Sequence, residues 1–186
     1  MKIIAAVGKN GTGKDFFLER IRDTYGIPMV SIGDIARELA AGDGLELTRE
    51  NLHRTSQKYM GQFGQTFFPE QIAKKIRESS APAYLISGIR PSSDVCFFKE
   101  QFGEAFLLVD IVVSDDAVRY ARMLARGSAR DGGSAEKLRE FDAAEEAKFR
   151  TSESEAMADL VVLNDGSAED FYAAIEEFYQ KYVKDA

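Results

Sequence analysis

The sequence predicts one α/β domain built on a five-stranded parallel sheet with helices on both faces. Strand-like apolar runs alternate with helical stretches almost throughout, the order of βα crossover units. The runs are short and rich in β-branched residues, as strands covered on both faces are. A chain of 186 residues suits one such domain and leaves little room for a second.

The first strand is expected over residues 2–7 (KIIAAV), ending at a glycine. A helix over 15–25 follows, with Phe16, Phe17, Ile21 and Tyr25 as apolar positions and Gly26, Ile27 and Pro28 as its stop. Residues 29–32 read as the second strand, and 34–41 as a helix closed by Gly42, Asp43 and Gly44. Thr48 is placed to cap a helix running to about residue 59, and another is expected over about 69–78. The third strand is 83–86. The fourth is 105–113, with Ser114 capping a helix over 115–126. A polar loop over 127–134 leads into a charged helix over about 135–150. The fifth strand is 160–163, and Asn164, Asp165 and Gly166 turn the chain into a terminal helix over about 167–182. Two segments interrupt the alternation: a helical insertion at about 34–78 and a short lid at about 126–150.

Composition narrows the function. Hydrophobic residues make up 45% and charged residues 30%, the balance of an ordinary globule. The net charge of −7 disfavours nucleic acid or an anionic membrane as the main partner, because both reward clustered positive charge. No apolar run reaches the roughly 18 residues of a membrane span, and 2–7 is too short for a signal-peptide core. The single cysteine, Cys96, cannot pair within the chain, which agrees with a reducing, cytoplasmic setting. Phosphorylated small molecules remain compatible, since they need only local arginines. His53, the single histidine, reads as a surface residue with no acid–base role.

Gly8, Lys9, Asn10, Gly11, Thr12, Gly13 and Lys14 fit the pattern GxxxxGK between the first strand and the first helix. Glycines let the backbone turn its N–H groups around phosphate oxygens, the helix terminus adds partial positive charge, and Lys14 reaches the terminal phosphates. ATP with Mg²⁺ is the expected cofactor pair. Asp15 stands where a Ser or Thr hydroxyl normally holds the metal, and a carboxylate can do so directly or through water. The junction GTGKDFF resembles the phosphate loops of phage-type deoxynucleotide monophosphate kinases and animal phosphomevalonate kinases.

Ser31 to Arg37 (SIGDIAR) sets Asp34 and Arg37 three apart on one helical face, and arginine suits a bidentate phosphate clamp. This segment resembles the adenylate-kinase-like nucleoside monophosphate kinases, in which a Gly-Asp-apolar-x-Arg stretch holds the acceptor. By the same resemblance Arg90 binds the acceptor phosphate, whereas Ser87 stands where the family ends its third strand in aspartate. Between these segments Tyr59, Phe63, Phe67 and Phe68 offer either core or a stacking surface for a base.

Arg119, Arg122 and Arg126 recur along one helical face, followed by Arg130 and Asp131. The stretch RYARMLARGSARD resembles the helix and lid of adenylate-kinase-like and dephospho-CoA-kinase-like proteins, which would put Arg126 near the donor adenine and Arg130 near the transferred phosphoryl. Either Arg139 or Arg150 would be the second lid arginine. Asn164 lies in the loop that borders the nucleotide base in this fold. The stretches GLELTRENL and VVLNDG resemble an archaeal group of such P-loop proteins.

The resemblance implies an ATP-dependent phosphotransferase, monomeric or homodimeric, with a nucleoside or deoxynucleoside monophosphate as acceptor. Lys14 and the loop amides would hold the donor. Arg37 and Arg90 would hold the acceptor's phosphate, Asp34 would orient its nucleophilic oxygen, and Arg126 and Arg130 would neutralise the transferring group. Two alternatives stay open: a dephospho-CoA kinase-like enzyme using Asp34 as base, and a nucleotide-binding regulator with weak ATPase activity.

Overall fold

Strand β1 (Lys2–Val7) lies at the centre of the sheet, because its side chains are apolar on both faces and nearly all are buried. The computed structural model describes residues 1–127 and 133–184. Strands β2 (Met29–Ser31), β3 (Ala83–Ser87), β4 (Phe106–Val112) and β5 (Leu160–Leu163) pair with β1 in the order β2-β3-β1-β4-β5. All four pairings are parallel, as the alternating pattern predicts. Ser31 registers with Ser87, and Val7 with Asp110, so these residues mark the carboxyl edge of the sheet. Ligands of open α/β sheets bind outside that edge.

Helices α1 (Lys14–Tyr25) and α9 (Ala168–Tyr182) cover one face, burying Phe17, Ile21, Phe171 and Phe178 against Ile4, Ala6 and Val109. Helices α2 (Ile32–Gly42), α4 (Phe67–Arg77) and α5 (Ser92–Phe102) cover the other, with Ile35, Ile72, Ile76 and Phe98 against Ile3, Ala5 and Leu108. Fully burying each such side chain is worth about 1.5–3 kcal/mol. Helix α3 (Arg49–Phe63) stands off this layer, and Thr55 is its buried residue. The insertion between β2 and β3 therefore has two parts. Its last helix, α4, belongs to the core, and α3 projects.

Helices α6 (Asp116–Ala125), α7 (Ala135–Phe149) and α8 (Thr151–Ala156) lie between β4 and β5. No described helix is long and apolar enough to cross a membrane.

Several local expectations shift. Strand β2 stops at Ser31 because that residue caps α2, its hydroxyl accepting from the Asp34 N–H at 2.9 Å while Asp34 Oδ2 accepts from the Ser31 N–H at 2.8 Å. Asp115, not Ser114, caps α6 through the Ala117 N–H at 2.8 Å. Ser114 instead bonds Asp165, its N–H at 2.7 Å and its hydroxyl at 2.6 Å. Helix α5 has no counterpart in the sequence expectation. The charged stretch after Ser134 breaks at Arg150, whose φ of 51° is left-handed, and resumes as α8.

Candidate functional site

The loop between β1 and α1 is shaped by positive φ at its glycines. Gly8 has φ of 131°, and a Cβ there would fall 2.4 Å from the Ile111 carbonyl oxygen and 3.2 Å from Asp110 Oδ1. Gly13 has φ of 97°, and its Cβ would fall 2.9 Å from Asn164 Nδ2. Both positions require glycine, because an L side chain would be strained there and would also collide. The Gly13 N-cap has no side-chain bond, so the first amides of α1 stay open to an anion.

Side chains from distant elements brace this loop from behind. Asn164 Nδ2 donates to the Thr12 carbonyl at 2.8 Å. Arg122 donates to the carbonyls of Asn164 at 2.5 Å and Gly166 at 2.8 Å. Arg119, fully buried, donates to the Asn10 carbonyl at 2.7 Å and pairs with Asp116 at 2.8 Å and with Asp142. Helical spacing thus puts Arg119 and Arg122 against the donor loop as clamps instead of on a basic lid surface. Arg126 ends α6 in an exposed position. Arg130 and Asp131 fall outside the described residues. Arg139 lies over the Tyr120 ring at 5.8 Å, and Arg150 pairs with Glu153 at 2.6 Å. Asn164 contributes through its hold on Thr12, and its carbonyl is taken by Arg122, so its sequence assignment to the base side gains no contact of its own.

Lys14 lies at the α1 terminus, 3.4 Å from the Lys9 carbonyl. Burial pushes its ammonium below the ordinary lysine value; Asp15 opposes that shift and Arg90 adds to it. Burial likewise lowers Arg90, with Asp15 opposing. These three residues therefore sense one another: the donor lysine, the exposed Asp15 and the arginine after β3 share one locality.

Glu145 on α7 closes the gap between them, pairing with Arg90 and accepting from the Asn10 amide. The space bounded by Lys14, Ile89, Arg90, Glu145, Ser154 and Glu155 is about 10 Å³, too small for a phosphate. Arg90 is further fixed through its carbonyl, which accepts from buried Ser154 at 2.5 Å.

At the start of α2, Asp34 and Arg37 pair at 2.5 Å. Burial would raise the Asp34 carboxyl, but the hydrogen bonds from Arg37 and from Ser31 outweigh it and hold it below the usual carboxylate range. Both Asp34 oxygens are engaged, so it positions Arg37 and is a poor proton acceptor. The aromatics of α3 and α4 stack on one another, Tyr59 on Phe67 at 5.4 Å and Phe63 on Phe67 at 5.2 Å, leaving Phe63 exposed.

A second hollow of about 380 Å³ opens beside the loop, lined by Lys9, Thr12, Asp110, the end of β4, Glu155 and, at the start of α6, Asp115 and Asp116. Asp115 is bonded to the Ala117 N–H, and Asp116 to Arg119 and Lys9. Asp110 and Glu155 were not singled out in the sequence. A charged residue inside the apolar run FLLVDIV was the available sign for the first; nothing local marked the second. Among the described residues, no three His, Cys, Asp or Glu side chains group as a metal cage. Mg²⁺ at nucleotide sites needs no such cage, being held by one or two carboxylates together with phosphates and water.

Known proteins agree with this architecture. A family model described as an AAA domain matches residues 7–139. A UPF0200 protein of Thermococcus gammatolerans is 31% identical over 184 residues, covering 98% of this chain and 96% of the relative. A UPF0200/UPF0201 protein of Archaeoglobus fulgidus is 37% identical over 186 residues; the chain spans 57% of that relative's length. Among solved structures, TT1252 from Thermus thermophilus superposes with a TM-score of 0.64 at 20% identity, covering 98% of both chains. Shikimate kinase from Bacteroides thetaiotaomicron does so with a TM-score of 0.54 at 14% identity, covering 96% of both. The fold is thus that of P-loop kinases, and the chain belongs to the UPF0200 family with a P-loop domain of the AAA type.

Proposed function

We propose that the protein is an ATP-dependent phosphotransferase whose acceptor is a nucleoside or deoxynucleoside monophosphate. The observation that carries this reading is the convergence of Arg90 with the donor loop, through Glu145 on Asn10 and through its electrostatic coupling to Lys14. A protein that only bound or hydrolysed ATP would have no need of an arginine after β3 linked to the phosphate loop in this way.

In this reading the loop amides and Lys14 hold the donor phosphates. Arg90 and Arg37 hold the acceptor's phosphate, with Asp34 fixing Arg37 in place. An acceptor phosphate oxygen attacks the γ-phosphorus as the bond to the β–γ bridging oxygen breaks, and the nucleoside diphosphate leaves. Arg126 and Arg130 are assigned to the donor base and the transferring group, and the charge spread over that group is what such arginines stabilise. Mg²⁺, when bound, would neutralise charge on the β- and γ-phosphates. The low-lying Asp34 carboxyl favours an anionic phosphate acceptor over a hydroxyl, because a hydroxyl acceptor benefits from a base.

The test is an ATP-consumption screen against nucleoside and deoxynucleoside monophosphates, dephospho-CoA and phosphomevalonate, with product identified by mass. A phosphorylated monophosphate is expected. ATP turnover that ignores every acceptor would overturn the reading. With the acceptor known, Arg90→Ala should lower kcat/KM for it at least ~100-fold while ATP affinity changes by less than about threefold.

A further inference from the structure

The hollow beside the donor loop holds two carboxylates that no hydrogen bond among the described residues satisfies. Asp110 projects from β4, and its Oδ1 lies 3.2 Å from where a Cβ of Gly8 would be, directly against the first residue of the loop. Glu155 comes from α8 and lines both this hollow and the gap beside Lys14 and Arg90. Its Oε1 is closed off from solvent and has no hydrogen-bond partner among the described residues. Both carboxylates line the same hollow, where Glu155 lies within reach of the Asp110 charge. An orphaned buried carboxylate oxygen beside a second carboxylate is costly unless a cation joins them.

Lys9 and Lys14 are the cations that offset Glu155 in this structure. Both belong to the phosphate loop, and a triphosphate entering it draws them to its own oxygens. The two acids then face the incoming anion with no countercharge, a repulsion that a divalent cation removes. Two carboxylates and phosphate oxygens are a hard oxygen set, which suits Mg²⁺. Ser87 supplies no carboxylate at the end of β3, and Asp15 is exposed on the Arg90 side of Lys14.

We propose that Asp110 and Glu155 hold the nucleotide-bound Mg²⁺, approaching the phosphates from the β4–α8 side in place of the position after β3. The proposal rests on the reading of the loop as a triphosphate site, and it deepens that reading by naming the metal's ligands.

The experiment measures Mn²⁺ as a Mg²⁺ substitute by electron paramagnetic resonance, on the intact chain with a non-hydrolysable ATP analogue. Analogue binding in EDTA is measured in parallel by calorimetry. Asp110→Asn and Glu155→Gln should each weaken Mn²⁺ binding at least tenfold. Analogue affinity in EDTA should stay the same or tighten, because a repelling charge is gone. Asp15→Asn should change Mn²⁺ affinity less than about twofold. Both acid variants should also melt no lower than the parent without metal, since each loses a poorly satisfied carboxylate; a lower melting temperature assigns the pair a structural role and overturns the proposal. Mn²⁺ binding lost in Asp15→Asn but kept in the two acid variants overturns it, as does an equal loss of analogue in EDTA. A parent chain that binds no analogue in either condition sinks the proposed function as well; a parent that binds it, with variants that leave Mn²⁺ untouched, sinks this inference alone.

Discussion

Asp94 shows how far one residue can depart from its ordinary chemistry in this fold. It lies in the first turn of α5, is 8% exposed, and burial pushes its carboxyl up to about 7. The folded chain therefore binds a proton there that the unfolded chain has released. The Asp94 contribution to stability is most favourable below about pH 4, becomes less so as pH rises from the unfolded value towards about 7, and then levels off. Asp94→Asn removes that penalty. It should raise stability at pH 8 by about 2–4 kcal/mol, with the gap to the parent closing as pH approaches 4. Thermal melts across this range check it, and a gap that does not vary with pH would refute it. Asp34 is the opposite case. Its oxygens are engaged by Ser31 and Arg37, its carboxyl is held low, and its contribution to stability is lost as pH falls through that lowered value.

At the scale of elements, legibility followed the range of the interactions. The phosphate loop, the capping role of Thr48, and the Asp34–Arg37 pair are local patterns, and each lies where its spacing predicts. Helix α5 escaped because polar Asp94 sits on its buried face with Val95 and Phe98 and interrupts the apolar period. The break at Arg150 escaped because nothing in a run of charged residues marks one left-handed position. Asp110 and Glu155 meet the loop only through sheet register and that break, which are long-range facts. The same holds for Arg119: spacing alone placed it on a face with Arg122, whereas folding puts it between α6, α7 and the loop. Replacing it with alanine leaves Asp142 with the Tyr120 hydroxyl but no ion-pair partner among the described residues, frees the Asn10 carbonyl, and should cost about 3 kcal/mol or more. Urea unfolding measures this, and a loss under about 1 kcal/mol would show that the clamp is dispensable.

At the scale of the whole molecule, the elements that the proposed function assigns to donor and acceptor flank β1. The loop, α6 and the turn after β5 lie toward β4, and the Asp34 and Arg90 segments follow β2 and β3. Helix α7 touches both halves through a single carboxylate, Glu145, which pairs with Arg90 and with Asn10. A phosphate arriving on either side meets like charge there, and the gap is too small to hold both anions. Whichever ligand arrives first must expel Glu145, and the second then enters a cleared site. Linkage makes this reciprocal: each ligand should tighten the other by the same factor. Glu145→Gln should strengthen the binding of ATP and of the acceptor measured singly, and shrink that factor towards one in calorimetric titrations of each ligand with and without the other. A coupling factor unchanged by the substitution would place the communication elsewhere. If the factor does shrink, Glu145 governs the order in which empty and half-filled states are populated: with it in place, the protein favours being either empty or doubly loaded over holding ATP alone, the state in which water could take the phosphoryl group.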